Sequence, residues 1–272
     1  MQAFLKKINF SLSSIFKHNT VLNKASSHLC ISANAKRVRP LLTAYFANAL
    51  NIPIESIFQL AITSELIHSA SLLHDDVIDE GKIRRGIPTV NSQWSNSIAI
   101  LSGNYLLVKA FEQLKQFPPT ITQEAISVIK DMTEGAMLEI SMRNYSNCNL
   151  NNWRSMVIGK TGSLFSFCGT SVALYCGNLE AVISFKIIGQ HIGQIFQLID
   201  ELQDIFEDSE NSESTYMNLM ISTGHKDPVL SCKMELLKQI QSVTELIDPW
   251  KSTLGGKQII LWLKNISNFS TL

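Results

Sequence analysis

Proline is scarce in this sequence, 7 among 272 residues, and glycine, at 13, is not much commoner. So few chain breakers argue against a disordered chain and favour helix. No window alternates apolar and polar residues for long enough to read as a strand. None approaches the ~20 uninterrupted apolar residues that a membrane-spanning helix needs, so no membrane anchor is expected. Lys plus Arg equals Asp plus Glu at 23 each, so the molecule lacks the basic field that draws in nucleic acid or acidic lipid. Any charge chemistry must be local. The 5 cysteines, Cys30, Cys148, Cys168, Cys176 and Cys232, form no CxxC pair and are odd in number. They read as reduced residues of a cytoplasmic protein rather than a disulfide frame or a metal cluster. The opening MQAFLKKINFSLSSIF has only a short apolar stretch and no small-residue cleavage site after it, and it does not read as a signal peptide.

What is present is apolar and periodic. The hydrophobic share is 45% and charges make up 17%, the composition of a compact globular protein. With neither a repeat nor a low-complexity linker, one domain over residues 1–272 is the simpler reading. The stretch from Asn51 to Gly81 carries Ile54, Ile57, Phe58, Ala61, Leu66, Ile67 and Leu73 at helical spacing. Pro53 stands near its start and Gly81 at its end, which predicts a helix of about 40 Å. Further helices are predicted at Ser97 to Phe117, at Thr120 to about Met142 with a Thr120/Gln123 capping box, at Trp153 to Cys176, and at Leu179 to about Asp208. The polar stretch Glu207 to Asn218 reads as a mobile loop, and two or three weaker helices close an all-α bundle.

The long apolar run ends in LLHDDVIDEGKIRRG, where three carboxylates, Asp75, Asp76 and Asp79, precede Arg84 and Arg85. Asp75 and Asp79 are four residues apart and share a helix face. They stand in the last turn, where backbone carbonyls already present negative charge, so each costs a few tenths to about 1 kcal/mol unless a cation arrives. FQLIDELQD repeats the pattern near the end of another helix, with Asp200 and Asp204 four apart and Glu201 between them. Hard carboxylate oxygens without clustered imidazole or thiolate suit magnesium, which takes one or two carboxylates, waters and phosphate oxygens. The implied ligand is polyphosphorylated, and Lys36, Arg37, Arg39, Arg84 and Arg85 are available as its cations. Taken alone, either acidic patch is more often a solvated helix end, each basic cluster ordinary surface, and His68 a satisfied core histidine. Lys160-Thr161 lacks the upstream glycine spacing of a P-loop, which rejects a nucleotide-binding reading.

At these residues the chain resembles the trans-isoprenyl diphosphate synthases, the polyprenyl synthetase family. LLHDDVIDEGKIRRGIPTVN matches the family's first aspartate-rich motif, and FQLIDELQD matches the second with Glu201 in place of the usual second Asp. KRVRP, ELIHSASLLH and GKTGSLF fall in the family's order, and the best match runs from residue 36 to 208. The resemblance implies a single-domain, isoprenoid-synthase-like helical bundle around a deep central cavity, with the two acidic patches facing each other across its mouth. It implies an enzyme that ionises an allylic prenyl diphosphate and joins the cation to isopentenyl diphosphate. Carried over by position, Asp75, Asp76, Asp79, Asp200 and Asp204 would bind Mg2+, with Asp75, Asp79, Lys160 and Asp200 catalytic. Arg84, Lys160, Thr161 and Gln197 would hold the allylic diphosphate, and Lys36, Arg39, His68 and Arg85 the isopentenyl diphosphate. Ala70 and Ser71, small where farnesyl makers often carry an aromatic floor, imply a product longer than farnesyl. A homodimer is implied, or a heteromer.

The chain departs from the family at Asn34-Ala35, where two glycines are usual, at Asn104, and at Ala136 and Glu139. It diverges after Asp208, where ISTGHKDPVL only partly echoes a family element and Lys226 has no assured equivalent. These departures motivate the alternative of a non-catalytic or weakly active subunit that pairs with a full enzyme. A terpene cyclase fits less well, because cyclases usually lack the paired isopentenyl-binding cations.

Overall fold

The computed structural model describes residues 1–32, 34–143, 148–207 and 215–267, the side chains of 204–207 and 267 excepted. Its contacts define two compact units, Met1–Ala44 with Ile52–Thr122, and Tyr45–Asn51 with the residues from Gln123 onward.

In the first unit, α1 (Gln2–Ile15) buries Phe4, Ile8 and Leu12, spaced one turn apart. Phe4 meets Phe58 edge to face with ring centroids 5.9 Å apart. α2 (Val21–Cys30) starts from Thr20, whose hydroxyl accepts the Asn23 N–H. After α3 (Val38–Ala49), α4 (Phe58–Ile78) is buried on nearly every side from Phe58 to Ala70, as the central helix of a core must be. It has 21 residues and spans about 32 Å. It begins five residues after Pro53, because the Ser56 N–H bonds to Pro53 and the Phe58 N–H to Glu55, tight turns that do not propagate a helix. A small hairpin follows, β1 (Ile83–Arg84) and β2 (Ile87–Pro88), which sequence alternation did not reveal because each strand has 2 residues. Then come α5 (Val90–Gln93) and α6 (Asn96–Leu114), which packs along α4.

The second unit holds most of α7 (Pro119–Arg143), which starts on Pro119 rather than after it. Proline is well suited to a first helical position, where its missing N–H costs nothing. Thr120 therefore lies inside the first turn, past the cap position that the expected box with Gln123 requires. α8 (Leu150–Val157) runs through a π turn, Ile158–Gly162, into α9 (Ser163–Tyr175), so the expected single helix is a continuous rod with one widened turn. α10 (Leu179–Glu207) has 29 residues and carries the second acidic motif. Of the stretch expected as a loop, residues 208–214 lie outside the described part. Thr215 to Asn218 are helical in α11 (Thr215–Ser222), which buries Tyr216, Met217, Leu219 and Met220. α12 (Pro228–Leu246), a 3-10 turn at Asp248–Trp250 and α13 (Leu254–Ser267) complete the described chain. Stacked rings bind this unit, Phe165 on Phe196 at 4.9 Å and Phe196 on Trp262 at 5.9 Å between centroids. The architecture is all-α apart from the hairpin, and no helix among the described residues is long and apolar enough to cross a membrane.

Candidate active site

The first acidic motif closes α4. The Asp79 N–H bonds back to the Asp75 carbonyl at 2.8 Å, so the two acids stand one turn apart at the negative end of a long helix. Asp75 is half-buried and Asp79 exposed. Asp76 differs from both. Its side chain is 2% exposed, and its Oδ1 accepts from Arg84 Nε at 2.6 Å. Burial pushes the Asp76 carboxyl up, and the Arg84 hydrogen bond and charge pull it back. Its Oδ2 is buried without a hydrogen-bond partner.

The hairpin returns the arginines to this helix end. Its two-residue loop is Arg85-Gly86, at φ 55° and 79°, and positive φ at both positions is the type I′ geometry that matches strand twist. Gly86 takes that conformation without penalty, whereas Arg85 must be held there. Asn34 donates to the Arg85 carbonyl at 3.0 Å, and the Arg85 guanidinium donates to the Leu29 carbonyl at 3.2 Å and meets His68 Nε2 at 3.4 Å. A guanidinium only donates, so Nε2 accepts and the neutral ring carries its proton on Nδ1. Burial, and after it the fields of Arg39, Arg85, Arg84 and Arg37, keeps the His68 imidazole well below its ordinary pKa and therefore neutral at pH 7. Lys36 is exposed and Arg39 half-buried.

Arg37, counted among the available cations from sequence, is committed elsewhere. It is 5% exposed, donates to Asn9 Oδ1 at 2.7 Å, and forms a buried ion pair with Glu65. Sequence reasoning missed Glu65, although a lone acid inside an apolar helical run signals a buried partner. Breaking such a pair costs about 3–5 kcal/mol, so Arg37 is a fastening of α3 to α4. Ala70 is buried, and Ser71, one turn below Asp75, turns its hydroxyl back to the His68 carbonyl at 2.9 Å. Asn104 lies on an exposed face of α6.

In the second unit the π turn displays Lys160 and Thr161, both half-buried. Widened turns of this kind frequently mark functional positions. The turn lies hard against α7, where a Cβ on Gly135 would collide with the backbone nitrogen of Lys160. Lys160 Nζ donates to Glu139 Oε2 at 2.5 Å, and Arg143 stands 3.8 Å from the same oxygen. On α10, Gln197 and Asp200 share a face, Gln197 half-buried and Asp200 exposed. The Asp204 side chain lies outside the described part. Glu201 points inward, 3% exposed, and accepts from Trp153 Nε1 at 3.3 Å and from the Tyr216 N–H at 2.9 Å. It thereby caps the first turn of α11.

Asp75 and Asp79 offer hard oxygens on one face, which fits magnesium. Among the described residues no three Asp, Glu, His or Cys side chains form a cage of their own. A magnesium ion held by the α4 acids would complete its shell with water and phosphate oxygens, as this ion ordinarily does.

The all-α architecture, with α4 ending in acids beside placed arginines, is shared with solved isoprenoid synthases. The geranylgeranyl pyrophosphate synthetase from the archaeon Geoglobus acetivorans superposes with a TM-score of 0.91 over 97% of this chain and 98% of that one, at 22% identity. Residues 19–218 match the polyprenyl synthetase family model. The geranylgeranyl diphosphate synthase of Saccharolobus solfataricus is 31% identical over 269 residues, 93% of this chain and 77% of that protein. The nonaprenyl diphosphate synthase of Mycobacterium tuberculosis is 35% identical over 200 residues, 71% of this chain and 58% of that protein. The chain belongs to the polyprenyl synthetase family.

Proposed function

We propose that the protein is a trans-polyprenyl diphosphate synthase that condenses isopentenyl diphosphate with an allylic prenyl diphosphate. The observation that carries this reading is the end of α4. There Asp75 and Asp79 stack at the negative pole of the helix while Arg84 and Arg85 return beside it through a type I′ turn. Such a site attracts a divalent cation and its diphosphate together. Asp75 and Asp79 in the first unit, and Asp200 and Asp204 in the second, would hold magnesium, which supplies charge neutralisation on the leaving diphosphate. Asp76 is assigned to orienting Arg84, given its ion pair.

Arg84, Lys160, Thr161 and Gln197 would bind the allylic diphosphate, and Lys36, Arg39, His68 and Arg85 the isopentenyl diphosphate. The allylic C–O bond breaks with its electron pair leaving on diphosphate, the isopentenyl double bond closes the new C–C bond, and a proton departs to the released diphosphate. Fixed cations at the leaving group lower that barrier because they need no reorganisation. Neutral His68 suits a hydrogen-bonding role toward a phosphate or its arginines and adds no charge of its own.

A product longer than farnesyl is supported by the small residues Ala70 and Ser71 beneath the acids, and by relatives named for geranylgeranyl and nonaprenyl products. The 5 cysteines, none of them in a disulfide, support a cytoplasmic setting. Exposed Ile100, Leu101 and Val108 on α6 support self-association or pairing with a longer relative. The test is incubation of the full chain with magnesium, labelled isopentenyl diphosphate and a panel of geranyl, farnesyl and geranylgeranyl primers. Extension of farnesyl diphosphate is expected, and Ala70→Phe should shorten the product. If no primer is extended although inorganic pyrophosphate still binds, the catalytic reading gives way to that of a partner-dependent subunit.

A further inference from the structure

We propose that Glu139 is the displaceable counterion of Lys160 and sets the affinity of the second unit for the substrate's diphosphate. The inference rests on the assignment of Lys160 to that diphosphate.

The pair is built in by the backbone. Gly135 lets α7 approach the π turn so closely that an added Cβ would collide with the backbone nitrogen of Lys160, and Glu139 stands one turn farther along the same helix. Glu139 is thus carried to the lysine by the same contact that fixes the turn, and only the side chains are free to change partners. Both side chains are reachable from solvent, Lys160 at 22% and Glu139 at 27% exposure. Arg143, one turn beyond and more exposed, lies 3.8 Å from the same carboxylate oxygen.

A half-exposed ion pair of this kind is worth about 1 kcal/mol or less, enough to hold the lysine extended and too little to resist a polyanion. A diphosphate that takes the ammonium cannot share it with a carboxylate without like-charge repulsion. Glu139 must therefore release Lys160 as substrate binds, and Arg143, a second cation near its carboxylate, is placed to receive it. The exchange subtracts from substrate affinity and equally speeds loss of the diphosphate product. A glutamine at this position would keep the length and the hydrogen bond while removing the competing charge.

The test measures binding of inorganic pyrophosphate with magnesium to the full chain by calorimetry, so it does not require turnover. Glu139→Gln should tighten binding about two- to fivefold, and the gain should vanish when Lys160→Met is also present. In steady-state assays the KM for the allylic substrate should fall while kcat holds or declines, a split that a merely structural role would not produce. Unchanged or weaker pyrophosphate binding by Glu139→Gln, or an equal gain in the Lys160→Met background, overturns the proposal. If Lys160→Met alone leaves pyrophosphate affinity unchanged, the assignment of Lys160 to the diphosphate fails, and the inference with it.

Discussion

Toward their C-terminal ends α4 and α10 each carry an adjacent pair of acids, and each pair divides its labour between its members. At α4 the first acid, Asp75, is half-buried one turn from the exposed Asp79, and the second, Asp76, turns inward to Arg84. At α10 the first, Asp200, is exposed, and the second, Glu201, turns inward to Trp153 and the Tyr216 N–H. The inward partners differ in kind. Asp76 meets a cation, so its fastening is electrostatic and local to the motif. Glu201 meets two neutral donors, one across the unit on α8 and one at the start of α11, so it ties together elements distant in sequence. The extra methylene of glutamate gives it that reach. A motif that looks like a uniform ligand set is thus half anchor.

Substitutions separate the two halves. If the proposed metal assignment of Asp75 holds, Asp75→Ala should lower turnover by about a thousandfold or more while moving the urea midpoint little. Comparable turnover in the variant would put Asp75 outside the chemistry. Glu201→Ala should do the reverse most strongly, costing about 2–4 kcal/mol in equilibrium unfolding because two buried N–H groups lose their acceptor. Asp76→Ala should cost less, about 1–3 kcal/mol, since Arg84 remains partly hydrated. If the Asp76 variant proved the less stable, the contrast between local and long-range anchoring would be wrong.

The smallest effect concerns pH. An unfolded histidine takes a proton near pH 6.5, whereas His68 in the fold resists protonation until well below that. The unfolded state therefore binds more protons as pH falls from 7 toward 5.5, and stability drops, by about 1 kcal/mol at the lower end. His68→Gln should flatten that part of the pH profile of unfolding. Asp76 acts with the opposite sign at lower pH, because its raised carboxyl gains a proton in the fold before it does in the unfolded chain.

Helical periodicity exposed nearly every long helix, because α4, α6, α7 and α10 bury residues at regular spacing and the breakers between them are few. Boundaries were harder to place. The start of α4 depended on turns after Pro53, and α11 was hidden in a polar stretch because its first-turn acceptor, Glu201, comes from another helix. The acidic and basic residues of the candidate site were legible as residue types, since carboxylates at a helix C-terminus are locally unfavourable and so conspicuous. Their pairing was not legible. Nothing in local sequence says that Arg37 would be spent on Glu65, or that Glu139 would stand beside Lys160. Those are consequences of which helices pack together.

The widened turn at Ile158–Gly162 takes up one residue more than a regular helix would use. Each residue rotates a helix by about 100°, so the turn acts as an indexing step between α8, which sets Trp153 against Glu201, and α9, which sets Phe165 against Phe196. Shorten it by one position and the two halves of the rod fall out of phase, so that either the indole or the phenyl ring loses its seat. The lysine is carried on the only stretch of that rod where the two gearings are reconciled.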